Sequence, residues 1–320
     1  MTELTTPQLI FPEFDDIKVS TKTFIVMTNL ENLKLENIFN FLEITDYTIV
    51  PKKRGRKKKT ESVDPNKDII AGSIISVKFE NQLKGVNLKE KKSHSHHNTA
   101  QQKKKKYFRN SLTVIMIIDN KPINFKICKN GMFQITGCKF DSHPEMCIRY
   151  IWSLLKHQTD NELFNLKNNS EELECIFIPV MRNIDFSVGF NIDREKLSKY
   201  MSTQTQFYSL LESSFGYTGV NVKIKLKDDI RTMKIKKIKY EHETNDEDVS
   251  MITYGDYLET LPQKERLKRL QKERYNTFLV FHSGRIINSG VTGSFMKETY
   301  YDFLDVIKKG YHHIVEKLEN

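Results

Sequence analysis

Residues Phe278–Thr292, FLVFHSGRIINSGVT, read as strand, tight turn, strand. An apolar arm runs into Ser283-Gly284, and a second apolar pair, Ile286-Ile287, opens the return arm. The same pattern stands earlier in the chain as FKICKNGMFQITGCK, Phe125–Lys139. Gly131 matches Gly284, Thr136 matches Ser289 and Gly137 matches Gly290, each 153 residues apart. Asn130-Gly131 and Ser283-Gly284 supply the positive φ that a hairpin turn needs. Apolar residues at helical spacing follow each hairpin. In the first copy they are Met146, Tyr150, Ile151, Leu154 and Leu155 within Ser142–His157. In the second they are Phe295, Tyr300, Phe303, Leu304 and Ile307, in a helix ending near Ile314. Such self-similarity marks a duplicated unit.

The duplication extends upstream. SLTVIMIID (Ser111–Asp119) is a strongly apolar strand, and TGVNVKIKL (Thr218–Leu226) is its weaker counterpart. KTFIVMTNL (Lys22–Leu30) and a helix over Leu33–Leu42 correspond to NIDFSVGF (Asn183–Phe190) and a helix over Asp193–Met201. Each copy thus reads strand, helix, several strands, helix. Matching Leu33 to Ile192 gives an offset of 159, and matching Val114 to Val220 gives 106. Copy one therefore carries 53 extra residues before its main strand, and copy two carries 47 after its own. The expected organisation is an N-terminal tail (1–19), a first repeat (20–160) with an insertion at about 51–110, and a second repeat (172–320) with an insertion at about 227–274.

Charge is concentrated in one place. The chain has 320 residues and a net charge of +10. Residues 51–110 hold 18 Lys and Arg against 5 Asp and Glu, a local net of +13. Blocks of like charge repel and bury little, so most of this tract is expected to be disordered, with SIISVKF (Ser73–Phe79) as a strand-like exception. Arg54-Gly55-Arg56 suits a minor-groove hook, but Lys57 stands where such a hook has proline, so a nuclear-import signal or nonspecific arm is the reading favoured over it. His94, His96 and His97 lack Cys or Asp partners at ligand spacing, so no metal site is expected. Cys128, Cys138, Cys147 and Cys175 form no CxxC pair and fit a reducing compartment. No apolar run reaches membrane-spanning length, and the acidic N-terminal stretch has no apolar h-region of a secretory signal.

The duplicated hairpins resemble the TATA-box-binding protein family. That family's repeat pairs an aliphatic-aliphatic-Phe strand end with Ser-Gly-Lys, an apolar pair and Thr-Gly. Copy two reads Leu279-Val280-Phe281-His282-Ser283-Gly284-Arg285-Ile286-Ile287-Asn288-Ser289-Gly290, followed by the family-like helix KETYYDFLDVI. Copy one matches through Gly131, Ile135, Thr136, Gly137 and Val114–Met116. The Lys- and Asn-rich insertions resemble those of versions carried by large DNA viruses. The resemblance implies an α+β fold: a duplicated saddle, one curved antiparallel sheet with helices on the convex face. Its bare concave face would widen a minor groove, where the hydrogen-bond code is sparse and flexible steps make deformation cheaper. Ser111–Asp119 is apolar on both faces, so the face away from the helices would stay exposed unless a ligand covers it.

Site residues follow from the resemblance position by position. Two aromatic wedges per repeat fall on Tyr217 and Phe281 in copy two, and on Ser111 and Cys128 in copy one, where Phe108 lies three residues upstream. Leu279, Ile287 and Ser289 match groove-floor positions in copy two, and Lys126, Gln134 and Thr136 match them in copy one. Asn183 matches one of the family's central asparagines, with Lys22 or Thr23 in copy one. Arg285 and Lys139 match phosphate-facing positions. By alternation alone Phe281 is equally a core residue.

The implied protein is a monomeric, non-enzymatic transcription initiation factor without cofactor. Its partners would be A·T-rich double-stranded DNA, a factor-IIB-like protein and RNA polymerase. It would act in the nucleus or viral factory of an infected cell. A scaffold that keeps the fold but not sequence-specific DNA binding is the alternative. A glycosylase reading lacks chain length for the helical domain such enzymes add, and no phosphate loop, HExxH or Gly-x-Ser-x-Gly is present.

Overall fold

The computed structural model describes residues 8–50, 65–88, 109–158, 163–167, 170, 172–211, 219–241 and 247–316. The first repeat runs β1 (Val19–Thr28), β2 (Leu30–Glu31), α1 (Leu35–Phe41), β3 (Ile74–Phe79), β4 (Gln82–Gly85), β5 (Ser111–Ile118), β6 (Lys121–Cys128), β7 (Phe133–Cys138) and α2 (Ser142–Leu155). After β8 (Asn165–Leu166), the second runs β9 (Leu173–Ser187), α3 (Arg194–Gln204), β10 (Tyr208–Leu211) and β11 (Gly219–Lys225). Its insertion holds β12 (Lys234–Tyr240), β13 (Glu247–Thr253), α4 (Tyr254–Glu259) and α5 (Gln263–Leu270). It closes with β14 (Tyr275–Phe281), β15 (Arg285–Gly290) and α6 (Gly293–Ile314).

The chain divides into two compact units. A first-repeat unit comprises Phe24–Ile178 and Lys236–Ser250, and a second-repeat unit comprises Met1–Thr23, Pro179–Ile235 and Met251–Asn320. Strand order in the second is β10-β11-β14-β15-β9, and in the first β3-β5-β6-β7-β1, with β4 outside β3. Element for element the two orders are the same, so the duplication inferred from the hairpins is real in the topology. The fold is α+β, with antiparallel strands and amphipathic helices.

Both hairpin turns use glycine for the same reason. Gly131 (φ 78°) and Gly284 (φ 72°) are left-handed. A Cβ on Gly131 would lie 2.1 Å from the Leu30 carbonyl oxygen, and one on Gly284 would lie 2.1 Å from that of Phe190. Only a residue without a side chain allows that backbone approach. By contrast, β5 and β6 join through Asp119 (φ 48°) and Asn120 (φ 57°), the left-handed pair of a two-residue hairpin.

One face of each sheet is filled by helices. In the second-repeat unit Phe278, Val280 and Ile286 pack with Met296, Tyr300, Phe303 and Leu304, and Phe278 stacks on Phe303 with centroids 4.0 Å apart. In the first-repeat unit Phe125, Ile127 and Phe133 pack with Ile38, Phe39, Ile148, Ile151 and Trp152.

Four expectations need correction. Cross-strand pairing sets Ser111 opposite Cys128 and Gly219 opposite Phe281. The offset between β5 and β11 is therefore 108, not 106. A slip of two residues keeps every side chain on its face, which is why alternation could not detect it. Second, the stretch before β1 is not a free tail. Phe14 is buried against Tyr300 at 5.4 Å, Tyr300 Oη donates to the Pro12 carbonyl (2.5 Å), and Lys297 pairs with Asp15 (2.5 Å). Third, residues 65–88 of the basic insertion carry two strands, β3 and β4, rather than one. Fourth, the second face of β5 is covered by the chain itself. Ile115 and Ile117 join Ile75 in a small cluster, packed by Tyr47, Ile69, Val86 and Leu88.

The second insertion also folds. β12 pairs antiparallel with the start of β9, from Lys236↔Phe177 to Tyr240↔Leu173. Ile238 and Tyr240 enter the first-repeat core, and burial pushes the Tyr240 hydroxyl above its ordinary range. Arg149 on α2 donates two hydrogen bonds to Glu247 (2.6 and 2.9 Å), and Lys236 meets Glu145 at 2.5 Å. A segment inserted by sequence in copy two thus belongs to the first-repeat unit.

Candidate nucleic-acid interface

Strand parity decides which residues face away from the helices. Along β14, Asn276, Phe278 and Val280 are buried, whereas Thr277, Leu279 and Phe281 are only partly so. Along β15, Ile286 and Asn288 are buried, and Ile287 and Ser289 are again partly open. Leu279, Phe281, Ile287 and Ser289 therefore share the helix-free face of the second-repeat unit. Phe281 belongs to neither large core.

Pairing arranges this face in rows. One row is Leu210, Asn221, Leu279, Ile287 and Asp185. The next is Tyr208, Lys223, Thr277, Ser289 and Asn183. At the hairpin end Gly219 stands opposite Phe281, and a Cβ there would come within 2.8 Å of Leu279 Cδ1. The missing side chain leaves room for Leu279 to lie over Gly219. Phe281, Arg285, Ile287, Asp185 and Arg194 also line a groove of about 660 Å³. Beside it, His282 Nε2 lies 2.9 Å from Glu316 Oε1, and this contact holds the Glu316 carboxyl below its usual range.

The first-repeat face has other chemistry. The row equivalent to Leu210–Ile287 is Lys78, Thr113, Lys126 and Gln134. The row equivalent to Tyr208–Ser289 is Ser76, Ile115, Asn124 and Thr136. Thr136 Oγ1 donates to the Asn124 carbonyl at 3.1 Å. Cys128 stands where copy two has Phe281. Burial pushes its thiol upward, with Lys126 acting against that shift. Lys139 is exposed just beyond β7. Nearby, Lys121 has a lowered pKa, first from burial and then from repulsion by Lys139.

Several expected residues are brought together and others are not. Leu279 pairs with Ile287, and Ser289 with Asn183. Asn183 also accepts a hydrogen bond from Ser20 Oγ at its carbonyl (3.1 Å). Arg285 pairs with Ser187 at the groove edge. Arg54, Arg56, His94, His96, His97, Phe108 and Tyr217 lie outside the described residues. With the corrected register, the counterpart of Ser111 is Gly219, so Tyr217 no longer matches that wedge position. Sequence reasoning missed Tyr208, 57% exposed on this face, and Asn221 and Lys223. The alternation in VNVKIK could have found the last two. It also missed Asp185, an acid on a face whose other residues are apolar, neutral polar or basic.

No family model matches the chain. It is 27% identical over 205 residues to uncharacterized protein 335L of Invertebrate iridescent virus 6, covering 62% of this chain and 60% of that protein. It is 28% identical over 175 residues to a TATA-box-binding protein-like protein of Acanthamoeba polyphaga mimivirus, covering 47% and 45%. This chain is similar to a TATA-box-binding-protein-like viral protein. It spans about half the length of the curated relatives it matches. Among solved structures, the TBP of Methanococcus jannaschii aligns over 93% of this chain and 99% of its own, with 12% identity and a TM-score of 0.46. Among the described residues, no helix is long and apolar enough to cross a membrane.

Proposed function

We propose that this protein binds the minor groove of A·T-rich promoter DNA through the helix-free face of its second repeat. On this reading it serves as a transcription initiation factor for a factor-IIB-like protein and RNA polymerase. One observation carries the reading: Leu279, Phe281, Ile287 and Ser289 stand together on the face that the helices leave bare. A shallow apolar surface with few charges suits a groove whose edge pattern mainly separates A·T from G·C. Phe281 is the wedge, Leu279 and Ile287 line the floor, and Arg285 meets phosphate.

The test is Phe281→Ala, with affinity measured on A·T-rich and scrambled duplexes at fixed physiological salt. Loss of at least tenfold on the A·T-rich duplex, with little change on the scrambled one, is the expected result. Unchanged affinity on both refutes the wedge.

The alternative is a scaffold with weak, nonspecific DNA binding. The polar row Lys78, Thr113, Lys126 and Gln134 favours it. Equal affinity of the wild-type protein for both duplexes would select it.

A further inference from the structure

We infer that the described segments on either side of β3, residues 45–48, 66–69 and 85–88, form an intramolecular cap, which takes the outer apolar part of the first repeat's helix-free face out of use. A duplex would then be held by the second repeat alone. This rests on the reading of the helix-free face as a DNA surface.

Parity puts Leu112, Val114, Met116 and Ile118 of β5 under the helices and Ile115 and Ile117 on the other side. In the second repeat the equivalent positions are Lys223 and Lys225, beside the exposed Tyr208. In the first, Ile75, Ile115 and Ile117 are 0%, 5% and 4% exposed, because Tyr47, Ile69, Val86 and Leu88 lie over them.

The cap is fastened on both sides. Thr48 N donates to Asn66 Oδ1 and Asn66 Nδ2 donates to the Thr48 carbonyl, each at 2.9 Å. Thr45 N donates to the Ile74 carbonyl (2.8 Å), and Val86 N donates to that of Ile75 (3.0 Å). Gly85 is left-handed (φ 76°), and a Cβ on it would lie 2.2 Å from the Ile75 oxygen. Lys78 Nζ donates to Asn87 Oδ1 at 3.0 Å. A groove floor could reach the three isoleucines only by displacing all of this. On β6 and β7 the open positions on this face are Pro122, Asn124, Lys126, Cys128, Gln134 and Thr136, so only Pro122 and Cys128 offer apolar surface there.

Hydroxyl-radical footprinting of the wild-type complex tests the cap on both molecules at once. The expected DNA protection is one-sided within the A·T-rich element. Phe281 and Leu279 should lose radical reactivity on binding, while Tyr47 and Leu88 keep theirs. In the double variant Tyr47→Ser, Leu88→Ser, protection should lengthen toward the unprotected side. Symmetrical wild-type protection, loss of reactivity at Tyr47 and Leu88, or an unchanged footprint in the folded double variant overturns the cap. If the variant fails to fold, the wild-type reactivities at Tyr47 and Leu88 decide alone. No DNA protection and no change at Phe281 would instead overturn the DNA-binding reading.

Discussion

Phe278 and Leu279 are chain neighbours, yet truncating them should damage different properties. Phe278 is fully buried and stacks on Phe303 at 4.0 Å. Phe→Ala at such a site costs about 3–5 kcal/mol of stability, from lost transfer energy and the cavity left behind. Leu279 points to the bare face, so Leu279→Ala should cost less than about 1 kcal/mol in the free protein. Its effect should appear on binding. Full burial of a leucine side chain contributes about 1.5–3 kcal/mol. Leu279 is already partly shielded, so about half of that remains to be gained, or ~0.8–1.5 kcal/mol. That corresponds to roughly three- to twelvefold in affinity. Denaturant melts of both variants, and fluorescence-anisotropy titrations with an A·T-rich duplex, supply the two readouts. Phe278→Ala should shift the melt and, where folded, bind nearly normally; Leu279→Ala should do the reverse. If Leu279→Ala destabilises as much as Phe278→Ala, the assignment of faces is wrong. If it melts normally and binds with undiminished affinity, the face is not the DNA surface.

Further outcomes follow from backbone geometry and capping. Gly284→Ala must pay about 1–2 kcal/mol for left-handed backbone, plus the clash with the Phe190 carbonyl, whereas Gly137→Ala, with φ 84° and nothing within 4 Å, should cost only the former. Thermal denaturation of the two variants checks the difference. Asp193 caps α3 by accepting from Glu195 N and Lys196 N, and the Lys196 bond is the main cause of its lowered pKa. A lowered carboxylate pKa stabilises the fold above the unfolded value and loses that contribution as pH falls through the folded one. Asp193→Ala should therefore cost about 1 kcal/mol at neutral pH, and the gap from wild type should close below about pH 4; a pH-independent gap would count against the cap.

What the sequence disclosed was local. The hairpins could be read because Gly131 and Gly284 must be glycine and because the arms alternate. The helices after them were legible from spacing: Ser142–His157 became Ser142–Leu155, and the second runs Gly293–Ile314. Long-range pairing left no such mark. KIKKIKY (Lys234–Tyr240) reads as a charged insertion, and its strand becomes evident only beside β9, where Lys236 and Lys237 meet Glu145 and Glu174. The burial of Ile115 and Ile117 depends on Tyr47, 68 and 70 residues away, and on Leu88, 27 and 29 residues away, so no window of sequence contains it. Asn276 was also illegible. It sits in the core where copy one has Ile123, and donates to the Phe295 carbonyl (2.6 Å) and Thr299 Oγ1 (2.8 Å).

Comparing the two copies position by position separates what packing constrains from what it leaves free. Under the helices the pairs are Leu112 and Val220, Val114 and Val222, Met116 and Ile224, Phe125 and Phe278, Ile127 and Val280, Phe133 and Ile286. These six pairs are apolar, as filling buried volume without unpaired polar groups favours, whereas two buried pairs set an isoleucine against an amide, Ile123 with Asn276 and Ile135 with Asn288. On the bare face the pairs are Lys126 and Leu279, Cys128 and Phe281, Gln134 and Ile287, Thr136 and Ser289. No packing requirement acts there, so composition is free to follow whatever the face meets. Copy two presents an aromatic ring, two aliphatic side chains and a hydroxyl. Copy one presents amides, a hydroxyl, a thiol and a lysine, and its apolar remnant at Ile115 and Ile117 lies under its own chain. The same backbone, duplicated, therefore offers two surfaces of unlike chemistry, so the asymmetric grip proposed above would come from the faces, not from the fold.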